Sequence, residues 1–60
     1  MDHKDYVQYA RNLYDAHGAK AEAEAAQKAA SARAAGQAEN AATWEKIRAQ
    51  IRELRGAYQG

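Results

Sequence analysis

Trp44, Ile47, Ile51, Leu54 and Tyr58 follow one another at steps of three, four, three and four residues. That spacing matches the turn of an α-helix and sets five large side chains on one face. Such a seam has to be covered. Yet the segment before it, from Lys20 to Ala35, offers nine alanines and no larger apolar side chain. The other bulky residues lie at the opposite end of the chain. There Tyr6, Ala10, Leu13 and His17 share a helical stripe flanked by Val7, Tyr9 and Tyr14. Behind that face stand Lys4, Gln8, Arg11, Asn12 and Asp15, as expected of an amphipathic helix.

Two large faces on either side of a small one suggest a specific solution. Alanine lets helix axes approach closely, so the indole and the tyrosines can lie across an alanine helix in a three-helix bundle. The other solution pairs the seam with its own copy as a coiled coil, for which about two and a half heptads are short. Proline is absent and glycine stands at positions 18, 36, 56 and 60. Glycine readily takes the left-handed conformation that closes a helix. Read as stops, the first three give helices over about 3–17, 19–35 and 38–55. Asp2 is the expected N-cap of the first, with Asp5 adding negative charge to its first turn. The second holds Glu22 and Glu24 early and Lys28 and Arg33 late, in accord with the helix dipole, and Glu24 and Lys28 form an i,i+4 pair. Its apolar face is expected at Ala25, Ala26, Ala29, Ala30 and Ala32, opposite Lys20, Glu24, Gln27, Lys28 and Ser31. No segment alternates with the period of a strand. The expected class is all-α, with residues 1–60 forming a single domain.

Only eleven large apolar side chains accompany the seventeen alanines. A core that small argues for one shared with a partner or a second copy. Cysteine is absent, so neither disulfides nor thiolate metal sites reinforce it. With no apolar leader, no membrane-length apolar run and a net charge of +1, a cytoplasmic chain with no membrane role is expected.

From Tyr9 to Leu54 the order is helix, His17-Gly18, alanine ladder, Gly36, then Ala41-Ala42-Thr43-Trp44, Ile47, Ile51 and Leu54. This order resembles a family of short alphaproteobacterial proteins of unknown function that share "HG", spaced alanines, a glycine turn and "A-x-x-W-x-x-I-x-x-x-I-x-x-L". The resemblance spans about three quarters of the chain. Its motifs are helix stops and core positions, so it implies an architecture and no chemistry. Members often carry an acidic residue after the turn glycine; here Gln37 stands there, a weaker cap. The segment around Gly36 also looks like a tetratricopeptide-type hairpin, without the 34-residue repeat that family requires.

Catalytic material is sparse. His3 and His17 are the only histidines, and "DHKD" lacks metal-ligand spacing on a helix. His17 at the end of the first helix suits the negative end of its dipole. Ser31 and Thr43 have no base spaced to activate them, and a bundle this small is not expected to enclose the usual ~300 Å³ of a ligand pocket. No enzyme, cofactor or metal is expected. Arg48, Arg52 and Arg55 form the most suggestive polar feature, a stripe beside the seam. It can serve an anionic partner, or its stems can line the core edge with their heads in water. The first half of that helix offers Lys46 as its sole positive charge, which disfavours sequence reading of DNA. Three tyrosines in the first helix are too many to bury without hydroxyl partners, so at least one is expected outside, and aromatic residues are enriched at interfaces.

These readings point to a non-catalytic helical interaction or regulatory module that binds another protein or itself. Its expected surface is the edge between the first and third helices: Tyr9, Tyr14, Trp44, Arg48 and Arg52. The alternative is a small nucleic-acid-associated regulator that uses the Arg48, Arg52 and Arg55 stripe.

Overall fold

Three α-helices follow in order, α1 (His3–His17), α2 (Lys20–Ala34) and α3 (Ala38–Gln59). They come from a computed structural model that describes residues 3–59, with side chains for residues 5–56. Asp2 and the side chains of His3 and Tyr58 lie outside the described residues. The all-α three-helix bundle expected from the sequence is what forms. α3, at 22 residues, is about 33 Å long at 1.5 Å per residue and accounts for most of the 36 Å long dimension. α2 packs most extensively on α3; α1 lies chiefly against α3 and touches α2 less.

The alanine helix occupies the expected place, with its face rotated. Ala21, Ala25, Ala29 and Ala32 are buried, at steps of four, four and three, whereas Ala30 is exposed. Ala10, Ala21, Ala25, Ile47 and Ile51 form the core, and Tyr6, Leu13, Tyr14 and Trp44 pack around it. Methyl-sized residues on α2 let the two isoleucines of α3 sit at the centre, and among the described residues no polar side chain is buried. That is how so few large side chains suffice: small and large residues alternate across facing helices.

Gly36 ends α2 with φ +78°. Gly36 N–H donates to Arg33 O at 3.1 Å and Gln37 N–H donates to Ala32 O at 2.8 Å, the paired bonds of a Schellman motif. Gln37 then opens α3, its carbonyl accepting the Ala41 N–H at 2.9 Å. One residue thus closes one helix and starts the next. The α1–α2 corner is as short: Gly18, at φ +65°, donates to Tyr14 O at 2.7 Å. Across it His17 Nδ1 lies 2.6 Å from Glu24 Oε1. Glu24 is therefore turned back to α1 and not forward to Lys28 as its spacing suggests.

Gly56 departs from expectation. α3 does not stop there but continues through it to Gln59, and Gly56 has no left-handed φ. A Cβ built at Gly18, Gly36 or Gly56 would meet nothing within 4 Å, so alanine at each reports backbone conformation alone. Gly36→Ala should cost about 1–2 kcal/mol, the strain of a left-handed alanine. Gly56→Ala should gain up to about 1 kcal/mol, the helix penalty of glycine. Thermal denaturation followed by far-UV circular dichroism should move Tm in opposite directions, about 4–8 °C per kcal/mol for a domain of this size. Two shifts of the same sign would contradict the placement of Gly56 within a helix.

Candidate interaction surfaces

The helical stripe of α1 is broader than one neighbour can cover. Ala10 faces the core, Tyr6, Val7, Leu13 and Tyr14 are half-buried, and Tyr9 stays 43% exposed. Tyr9 is the tyrosine the packing leaves outside. Its ring meets Trp44 of α3 edge-to-face, with centroids 5.7 Å apart and planes at 81°. That arrangement sets the positive edge of one ring on the negative face of the other. Trp44 is itself half-buried. The outcome is an aromatic pair, fixed by two helices and open to solvent on one side. Tyr14 is drawn into the flank of the core.

The arginines lie elsewhere. Arg48 shares a groove with Ala19, Glu22, Ala23, Ala26 and Arg55, which places it on the α2 side of α3. Arg52 lines grooves with Glu45 and Glu53 and with Glu22 and Arg55. The structure therefore brings Tyr9 and Trp44 together, leaves Tyr14 on the flank of the core, and holds Arg48 and Arg52 on a separate face. The stripe is also largely occupied by carboxylates. Arg55 Nη1 donates to Glu22 Oε1 across α2 and α3, and Arg48 Nη1 lies 3.6 Å from Glu45 Oε1. Glu45 Oε2 accepts from Arg33 Nη2 at 2.6 Å. Among the described residues Arg52 alone of the three makes no ion pair. No protein-family model, curated protein or solved structure matches the chain. What it does is read from these surfaces.

Reading the chain helix by helix misses the interhelical pairs Glu22–Arg55 and Arg33–Glu45. The two pairs share nearly one antiparallel register, centred a little beyond the turn near Ala38 and Glu39, so a hairpin alignment that finds one finds the other.

The grooves on the bundle are open surface features. One of about 310 Å³ is lined by Glu45, Arg48, Ala49, Arg52 and Glu53. All five belong to α3, so this is a furrow between side chains of one helix and not a pocket roofed by several elements, the usual setting for a bound small molecule. Among the described residues no three His, Asp or Glu side chains converge where a metal ion would fit, and no helix is long and apolar enough to cross a membrane.

Proposed function

We infer that this chain is a non-catalytic, cytoplasmic interaction module that docks a protein partner on the aromatic edge formed by Tyr9 and Trp44. The observation that carries this reading is the exposure of Tyr9 while its ring is held against Trp44. Pre-ordered aromatic side chains lose little entropy on binding and supply large contact area, which is why such residues dominate interface energetics. Tyr14 packs on the flank of the core, and Arg48 and Arg52 lie on a separate face of α3.

The nucleic-acid alternative draws on the same arginines, but ion pairs to Glu22 and Glu45 reduce the positive field of the stripe. Phosphate binding depends on that field and weakens steeply as salt rises. The test compares partners captured from cell lysate by wild type, Tyr9→Ser and Arg48→Glu/Arg52→Glu, with a salt series on DNA and RNA alongside. Tyr9→Ser should release the partner while leaving far-UV circular dichroism unchanged. A partner list unaltered by Tyr9→Ser retires the aromatic edge. Salt-sensitive retention on nucleic acid that is lost with the double arginine variant installs the alternative.

A further inference from the structure

The outer face of α3 carries a charge pattern of which, among the described residues, only Glu45 is engaged within the chain, by Arg33 and Arg48. Ala42, Ala49 and Gly56 recur every seven residues along it, and all three are exposed. Glu45 and Arg52 flank this row on the side toward α2, and Lys46 and Glu53 flank it on the other. Among the described residues Lys46, Arg52 and Glu53 make no ion pair. A furrow of about 310 Å³ lies over Ala49, at the centre of the pattern. At Gly56 the helix bears the penalty of an interior glycine although open space surrounds the position. Among the described residues nothing packs against that position.

We propose that this face seats the same face of a second copy, with the two α3 helices antiparallel about a twofold axis beside Ala49. This goes beyond the aromatic-edge reading and uses a different surface. A twofold axis perpendicular to α3 at Ala49 sets Ala42 opposite Gly56 of the second copy, and each flank meets the same flank of its mate. Glu45 then faces Arg52 of the second copy within about one residue's rise along the axis, and Lys46 faces Glu53 in the same way. Symmetry makes every contact twice, as an isologous interface requires. Small residues along the row permit the close approach these contacts need.

The flanking charges also complement one another in a parallel pair. Two observations select the antiparallel one. Opposed helix dipoles attract, whereas aligned ones repel. In addition, antiparallel pairing puts α2 on the same side in both copies, where Ala23 and Ala30 are exposed small residues and Arg33 stands beside Glu45. Arg48 and the Glu22–Arg55 pair then lie at the junction of four helices, the setting in which a shared core adds stability to a chain this short.

Sedimentation velocity from the micromolar to the millimolar range at low salt tests this. Wild type should approach twice its 6.6 kDa. Ala49→Arg, at an exposed position, should keep its helical signal and stay monomeric throughout. Glu53→Lys sets a second ammonium group against Lys46 of the other copy, on both sides of the axis, and should weaken association about tenfold. Adding Lys46→Glu in the same chain should restore it, because the antiparallel axis pairs position 46 with position 53. In a parallel dimer the same swap sets the new carboxylate at position 46 against Glu45 and restores nothing. A monomeric wild type, a dimer indifferent to Ala49→Arg, or a swap without rescue overturns the proposal. A dimer lost only with Tyr9→Ser also overturns it and moves self-association to the aromatic edge. Failure here leaves partner capture by Tyr9 and Trp44 standing, because that reading is scored on a different variant and readout.

Discussion

Ile51→Ala is expected to bring the protein to the edge of unfolding at ordinary temperatures. Ile51 is 0% exposed at the centre of the core, where α1 and α2 both meet α3. Truncating a buried isoleucine costs about 2–5 kcal/mol, the larger values arising where the surroundings cannot collapse into the space. The rest of the core is Ala10, Ala21, Ala25 and Ile47, with Tyr6, Leu13, Tyr14 and Trp44 at its flanks. The three alanines cannot refill a cavity, and the larger side chains can do so only by changing rotamer. Against a total stability of about 3–9 kcal/mol for sixty residues at 0.05–0.15 per residue, one substitution removes a large share. Urea denaturation followed by circular dichroism measures it directly, with Ile51→Val as a graded control at about 0.5–1.5 kcal/mol. A loss below about 1 kcal/mol for the alanine variant, outside the range for a buried isoleucine, would mean that Ile51 is not the central residue of the core.

Ala25→Leu should be comparably damaging for the opposite reason. Ala25 is 0% exposed and faces the isoleucines of α3. Leucine is nearly as good a helix former as alanine, so local propensity changes little and the whole effect is steric. Three added carbons must push α2 away from α3 along the largest interface in the molecule, with overpacking costs of about 1–3 kcal/mol or more. Ala30→Leu places the same side chain at an exposed position of the same helix and should leave stability within about 0.5 kcal/mol of wild type. The contrast between the two variants, read by urea midpoint, tests which face of the alanine helix is inside. Equal effects would show that the helix face has been assigned wrongly.

Those two alanines also show where the sequence stops being informative. The helical character of residues 20–34 is plain from alanine content and from polar residues in helical phase. Its rotation is not, because alanines stand on every side and a methyl group on the core face looks the same as one in water. The bulky residues have no such ambiguity. Tyr6, Leu13, Trp44, Ile47 and Ile51 are few, and their spacing admits one face each. Gly18 and Gly36 are legible as stops because each falls where helical phase breaks on both sides. Gly56 reads as a stop by the same rule, yet a contrary signal is present: Tyr58 continues the seam four residues beyond Leu54, which requires the helix to run on. The aromatic edge follows from counting tyrosines against the available core. Arg48 and Arg52 are misplaced on the α1 edge because a helical wheel gives their angle from Trp44 but not which neighbour packs on which side. That choice is fixed by the hairpin register, through Arg33 with Glu45 and Glu22 with Arg55.

The shared residue at Gln37 has a kinetic consequence. With the end of one helix hydrogen-bonded into the start of the next, the largest interface assembles from neighbours along the chain and closes almost no loop. The late, entropically demanding event is the return of the first helix to a surface some thirty positions downstream. The aromatic edge depends on that event, so hydrogen exchange is expected to show it opening before the α2–α3 interface.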